Sequence, residues 1–400
     1  MNPNLEKLQR YPFERLADLK EGVLPNADQP HIALSIGEPK HAPPEFVLNR
    51  LTDADLVRQD LATYPATRGS EALREAIATW VQQRFHTTVD PATQVLPVAG
   101  TREALFSFAQ AVMSGESSAL ALLPNPFYQI YEGAVLLAGG EPRYIGSHVE
   151  NAYEPDFDAI TEETWRRTEL VYLCSPSNPT GRVLSTYTLQ RLIEQALVHD
   201  FVIAADECYS EIYLDEAAPP PGLLQASEAM GNAGHARCVI FHSLSKRSNL
   251  PGLRSGFVAG DADVLSRYYQ YRTYEGCALP AQTQAASALA WADEAHVVAN
   301  RNAYREKFAA ARQILGPHAP AADPQGGFYW WLPTPVDALE FARTLFEREN
   351  VTVLPGPFLS RPAHGGDPGT NHVRIAWVAP LAECEEAAHR LLRHIERLIS

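Results

Sequence analysis

Residues 170–209 read LVYLCSPSNPTGRVLSTYTLQRLIEQALVHDFVIAADECY, and this stretch decides the fold. It opens on a continuous apolar run, Leu170–Cys174, and breaks at Ser-Pro-Ser-Asn-Pro-Thr-Gly (175–181). Leu189, Leu192, Ile193, Ala196 and Leu197 then recur at helical spacing. A second apolar run, Phe201–Ala205, ends in Asp-Glu-Cys-Tyr. Strand, helix and strand, with both strands apolar throughout, describe a parallel pair buried on both faces. Runs at Gln94–Val98, Ala119–Leu123 and Cys238–Phe241 repeat the pattern, and the first leads through Gly100-Thr101 into a helix face of Ala104, Leu105, Phe108 and Val112. The expected fold is α/β, a mostly parallel central sheet covered by helices.

Farther out, Leu73, Ala76, Ile77, Trp80 and Val81 share a helix face with Ser70 placed as its N-cap. The C-terminal part has a strand-like Val373–Trp377 and a closing helix expected to turn Leu391, Leu392, Ile395, Leu398 and Ile399 inward. The expected division is a large domain over 45–290 and a smaller α/β domain made by 1–44 with 291–400. The Pro/Gly-rich patches 217–222 and 356–369 read as surface loops, the second bordering the site.

The 400 residues carry 33 basic and 48 acidic side chains, a net charge of −15. This balance lacks a basic footprint for nucleic acid, and an anionic membrane surface would repel it. No apolar run approaches the roughly eighteen residues of a spanning helix, and the first ten residues lack an apolar leader core. The five cysteines, Cys174, Cys208, Cys238, Cys277 and Cys384, are scattered and contain no CxxC. A reduced, cytoplasmic enzyme without a metal centre is expected; His389 and His394 sit five apart on an ordinary helix. Only five basic residues are lysines. Lys7, Lys20 and Lys307 read as solvated and Lys40 lies in a loop, whereas Lys246 follows an apolar run directly.

In an open α/β sheet, ligands bind beyond the carboxyl ends of the strands. The polar residues there are Gly100-Thr101-Arg102, Asn178, Asp206 with Tyr209, and Ser243 with Lys246, followed by Arg254. Singly, each has a bland reading: a turn, a solvated strand end, a surface lysine. Jointly they suit a phosphorylated aromatic aldehyde. Helix-start N–H groups after Gly100, the Thr101 and Ser243 hydroxyls and Arg254 can hold a phosphate dianion. Asp206 can keep a ring nitrogen protonated, Asn178 and Tyr209 can bond a phenolic oxygen, and Lys246 can form a Schiff base and then act as general base. Pyridoxal 5′-phosphate fits each clause.

The ordered set Asn178-Pro-Thr-Gly, Asp206-x-x-Tyr209, Ser243-x-x-Lys246 and Arg254 resembles the class I/II aminotransferases of fold type I. The resemblance implies Lys246 as the lysine that bonds the cofactor, Asp206 at the pyridine nitrogen, and Asn178 and Tyr209 at the ring oxygen. It implies a phosphate cup of Gly100, Thr101, Arg102, Ser243 and Arg254, with Tyr128 stacked on the ring. Tyr64 falls where the family's partner subunit reaches the phosphate, which implies a homodimer with shared sites. Arg374 falls where the substrate α-carboxylate is clamped, with Asn178 beside it, and Gly37 where the N-terminal segment approaches the substrate. Ser255 departs from the pattern, an apolar residue being commoner there; a packing adjustment is expected.

The same constellation supports transamination, decarboxylation, β-elimination or racemisation. A clamped α-carboxylate argues against its expulsion, and transamination is the expected reaction, on amino acids and 2-oxo acids. Segments 34–41, 62–69, 124–133 and 245–256 resemble the bacterial succinyldiaminopimelate aminotransferases, as does the opening with Tyr11-Pro-Phe-Glu-Arg. That resemblance implies glutamate and N-succinyl-2-amino-6-ketopimelate as partners. A second cation must then meet the distal carboxylate, and Lys40, Arg68 and Arg102 are the candidates. Another aminotransferase of this class, a carbon–sulfur β-lyase and a non-catalytic cofactor-binding regulator are the alternatives.

Overall fold

The computed structural model describes residues 1–318, 324–363 and 366–400; of the loop expected over 356–369, residues 364 and 365 lie outside the described ones. The strands are β1 (Ile32–Ala33), β2 (Val95–Val98), β3 (Leu120–Asn125), β4 (Glu141–Gly146), β5 (Thr168–Cys174), β6 (Val202–Asp206), β7 (Cys238–Ser243), β8 (Gly256–Gly260), β9 (Tyr329–Pro333), β10 (Val351–Thr352), β11 (Leu354–Pro355) and β12 (His372–Ala376). Seven of them form one sheet in the order β2-β8-β7-β6-β5-β3-β4. Only β8 runs against its neighbours, so the carboxyl ends of the other six open on one edge.

Period-two alternation explains why these strands are apolar throughout. Leu170 and Tyr172 of β5, Val202 and Ala204 of β6, and Val239 and Phe241 of β7 enter one core. Val171 and Leu173, Ile203 and Ala205, and Cys238 and Ile240 enter the other. Each face needs its own helical cover. The helix Glu71–Phe85 covers one face with Leu73, Ile77, Trp80 and Val81 buried, and the Ser70 hydroxyl accepts the Leu73 N–H at 3.3 Å. Such a cap contributes about 1 kcal/mol. The helix Thr101–Val112 covers the other face through Ala104, Leu105 and Phe108.

A second layer joins the two ends of the chain. β1 pairs in parallel with β10, Ile32 opposite Val351, while β11, β12 and β9 form an antiparallel sheet. Ile32 and Leu34 share a core with Trp330, Phe341, Val373 and Leu391. Three expectations fail here. Leu197 is exposed, because the helix Thr186–His199 turns it past the edge of its buried stripe. Ile399 is exposed in the last turn of the chain. Lys307 is 2% exposed instead of solvated, because residues remote in sequence supply its partners. No helix among the described residues is long and apolar enough to cross a membrane.

Candidate active site

A cavity of about 490 Å³ opens at the carboxyl edge of the seven-stranded sheet, within the range of small-molecule sites. β7 ends at Ser243, whose hydroxyl accepts the Ser245 N–H at 3.1 Å and caps the one-turn helix Leu244–Arg247. That turn directs Lys246 inward. Its Nζ donates to the Gly37 carbonyl at 2.7 Å and lies 5.1 Å from the centre of the Phe328 ring. Burial pushes the Lys246 ammonium down to about 8; Arg374 adds to this, against Cys208, Asp206 and Glu38. At pH 8 an ordinary lysine is neutral in roughly one molecule in 300, so Lys246 is far richer in free amine.

Asp206, at the end of β6, lies on the cavity wall and is 5% exposed. Its Oδ2 accepts from Tyr131 Oη at 2.7 Å and its Oδ1 from the Cys208 N–H at 3.2 Å. Burial raises its pKa despite these donors and the nearby His242. A cationic N–H beside it would favour the carboxylate. Tyr131 is held by stacking on Tyr172, ring centres 4.7 Å apart.

Gly100 adopts φ +94°, open to glycine, and a Cβ there would strike the Arg254 guanidinium. The turn starts the helix Thr101–Val112, whose first N–H groups lack intrahelical acceptors. Thr101, Ser243, Ser245 and Arg254 line this end of the cavity. Arg254 has φ +53° and donates to the Pro251 carbonyl at 2.9 Å. The next residue, the unusual Ser255, is fully buried, its hydroxyl 2.7 Å from that of Ser287. The Ser287 hydroxyl is the donor in this pair and also lies 2.6 Å from the Thr283 carbonyl. The departure from the family pattern is thus a satisfied hydroxyl pair.

On the opposite wall, Arg374 of β12 is 5% exposed. Its Nη1 donates to Asn178 Oδ1 at 2.9 Å and its Nη2 to the Ser35 carbonyl at 2.7 Å, and the guanidinium lies 4.3 Å over the Tyr329 ring. Its Nε is buried with no hydrogen-bond partner among the described residues. Tyr209 donates to Tyr329 Oη at 3.3 Å. A Cβ on Gly37 would strike that same Tyr329 hydroxyl, so the N-terminal segment passes close only with a bare Cα.

Of the residues singled out from sequence, Gly37, Thr101, Arg102, Tyr128, Asn178, Asp206, Tyr209, Ser243, Lys246, Arg254 and Arg374 line this one cavity. Gly100 sits immediately behind it as the turn residue. Tyr64 is fully exposed and outside it. Among the three candidate second cations only Arg102 reaches the cavity, with Nη2 3.1 Å from Tyr11 Oη. Arg68 turns away to the Ala92 carbonyl and the Tyr269 ring, and Lys40 does not line the cavity. Tyr131, Cys208, Ser245, Phe13 and Tyr329 were not singled out. Tyr131 carried a usable signal, since it lies one helical turn after Tyr128.

Arg102, Lys246, Arg254 and Arg374 face Glu38 and Asp206 across the cavity, a cationic pocket in an acidic chain. The donor set fits pyridoxal 5′-phosphate: an amine of lowered pKa, a buried carboxyl wanting a cation, hydroxyls and a guanidinium at a helix start, and an unpaired guanidinium N–H opposite. The chain matches the pattern of the family "Aminotransferase class I and II" over residues 29–391. It is 44% identical to an aminotransferase of Neisseria meningitidis Z2491 of known structure, with a TM-score of 0.94 and coverage of 99% of this chain and 100% of that one. It is 33% identical to the 4-dedimethylamino-4-oxo-anhydrotetracycline transaminase OxyQ of Streptomyces rimosus, covering 97% of this chain and all of that one. It is 30% identical to the LL-diaminopimelate aminotransferase of Nitratidesulfovibrio vulgaris, covering 90% and 91%. Fold, pocket and relatives agree: the chain belongs to the class I and II aminotransferases, which work with pyridoxal 5′-phosphate.

Proposed function

We propose that this aminotransferase moves an amino group between N-succinyl-LL-2,6-diaminopimelate and 2-oxoglutarate, in alternating half-reactions. The observation that carries the reading is that, besides Arg254 at the helix start, two guanidinium groups stand on one cavity, Arg374 buried on the far wall and Arg102 exposed beside Tyr11. Two fixed cations suit substrates with a carboxylate at each end. The four sequence segments named above and the LL-diaminopimelate aminotransferase relative support the same substrate class.

Bound here, pyridoxal 5′-phosphate supplies an aldehyde carbon and a ring that accepts the electrons released when the donor loses its Cα proton. The chain supplies the rest. Lys246 Nζ, titrating near 8, takes that proton. Asp206 keeps the ring nitrogen protonated, with Tyr131 holding the carboxyl in place. Asn178 and Tyr209 would bond the ring oxygen, and Tyr128, on the same cavity, would cover the ring. Thr101, Ser243, Arg254 and the helix start after Gly100 hold the phosphate. Arg374 binds the α-carboxylate through its free N–H and so retains it, which disfavours decarboxylation. Residues 45–290 carry the cofactor, while 1–44 and 291–400 bring Gly37 and Arg374.

The fully exposed Tyr64 is assigned to the phosphate of a second copy of the chain. A mixed dimer of one Tyr64→Phe chain and one Lys246→Ala chain is then expected to keep one intact site and about half the wild-type activity. An inactive but properly assembled mixed dimer would refute the sharing.

The substrate reading is tested by glutamate formation from 2-oxoglutarate with each candidate donor. N-succinyl-LL-2,6-diaminopimelate is expected to exceed the unacylated diamine by about 100-fold in kcat/KM. Equal or faster turnover of the free diamine transfers the assignment to the substrate in the relative's name.

A further inference from the structure

His41 lies four residues beyond Gly37, the residue whose carbonyl holds Lys246 Nζ. Its Nδ1 is 2.7 Å from Oδ1 of Asn300, on the helix Ala295–Leu315, and its Nε2 is 2.6 Å from Nζ of Lys307 on the same helix. Asn300 Nδ2 reaches the backbone carbonyls of Lys246 at 3.0 Å and Arg247 at 3.3 Å. Lys307 Nζ also donates to the Val378 carbonyl at 3.3 Å. Asn300 and Lys307 are both buried.

Every proton in this chain has one consistent place. Carbonyls only accept, so the Asn300 amide must turn its NH₂ toward Lys246 and Arg247 and its oxygen toward His41. His41 Nδ1 must therefore carry a hydrogen. Nε2 of the neutral ring is then a lone pair, and Lys307 donates to it. The carbonyls so capped close the one-turn helix that carries Lys246, where a helix leaves carbonyls without intrahelical partners.

We infer that Asn300, oriented by the His41–Lys307 pair, is a positioning residue that fixes the backbone of Lys246. The inference rests on the reading of Lys246 as the reactive lysine. Segment 37–41 holds that lysine at two points, Nζ through Gly37 and the backbone through His41 and Asn300. When substrate and cofactor draw Nζ away from the Gly37 carbonyl, the backbone grip remains, and the amine swings from a fixed pivot. A misplacement of about 1 Å at such a centre costs on the order of 100-fold in rate.

Acid breaks the device. A second proton on His41 would set an N–H against the N–H of Lys307. Burial and Lys307 both push the His41 pKa down, against the Asn300 hydrogen bond, so the break lies below the ordinary histidine range. Tyr304 packs its ring 4.7 Å from His41, and Lys307 in turn faces Lys40 and Cys384.

Asn300→Ala is expected to lower kcat 10- to 100-fold at unchanged amino-donor KM, since Arg374 still binds the carboxylate. His41→Leu is expected to do the same more weakly. His41→Gln, which offers one N–H and one acceptor, is expected to restore kcat and remove the acid limb that His41 imposes. Lys307→Met, which removes the opposing N–H, is expected to flatten that limb. A second readout needs no turnover: in the full-length chain freed of cofactor, the pH of half-maximal acetylation of Lys246, read by peptide mass spectrometry, is expected near 8 and higher in Asn300→Ala, where a loosened backbone leaves the amine less buried. Wild-type kcat and labelling pH in Asn300→Ala and His41→Leu, or loss of thermal stability alone, would overturn the inference. Should Asn300→Ala fail to fold, the His41→Leu and His41→Gln pair decides. Substantial turnover by Lys246→Ala would instead remove the reading of the lysine itself.

Discussion

Lys246→Ala abolishes amino transfer in the expected outcome, lowering kcat at least about ten-thousandfold while the chain stays folded and retains part of its cofactor affinity. The amine lines the cavity, and its pKa of about 8 suits proton transfer near neutral pH. On the proposed reading, removing it deletes both the attachment point for the cofactor and the base for the Cα proton, each worth orders of magnitude. The fold tolerates the loss, because Lys246 Nζ makes one hydrogen bond, to the Gly37 carbonyl, and packs loosely over Phe328 and Tyr209. The phosphate end is untouched, since Thr101, Ser243 and Arg254 stand apart from the amine. Paired circular dichroism and steady-state kinetics on the purified variant check this. Turnover within a hundredfold of wild type would remove Lys246 from the chemistry.

Arg374→Lys is expected to lower kcat/KM by about 100- to 1000-fold for the amino donor and the 2-oxo acid alike. On the proposed reading the two half-reactions suffer together, since both substrates would present an α-carboxylate to the same guanidinium. Charge is conserved in this variant, so the loss comes from geometry. The guanidinium donates to Asn178 and Ser35, sits over the Tyr329 ring, and keeps Nε without a partner. An ammonium cannot satisfy two fixed acceptors and present a further N–H in the same plane. Stranding buried partners at such a site costs several kcal/mol. Arg374→Leu adds a second effect: Arg374 helps depress Lys246, so the Lys246 titration moves upward when the charge is lost. Separate kcat/KM values for each half-reaction decide the matter. A defect confined to one substrate would show that Arg374 does not serve both.

The elements legible in the sequence are those whose signal is local. β5, β6 and β7 are continuous apolar runs because each face of the sheet has its own core, and the polar residues that end them, Asp206 and Ser243, stand out against that background. Ser70 was readable as a cap for the same reason. Residues whose importance arises from distant partners stayed hidden. Tyr329 matters because Gly37, Tyr209 and Arg374 meet around it. Lys307 looked solvated because its helix is polar on average, while its partner His41 lies 266 residues away. Arg68 looked like a site cation until its side chain turned to Ala92 and Tyr269.

β1 pairs with β10, and Ser35 and Gly37 reach their partners Arg374 and Lys246 only across more than two hundred residues of chain. On the ribosome, residues 32–37 therefore wait for partners made much later in the same chain. Closing loops of this length is slow compared with local helix formation. The central sheet can assemble while synthesis continues, but the substrate wall cannot exist until residue 374 has cleared the exit tunnel.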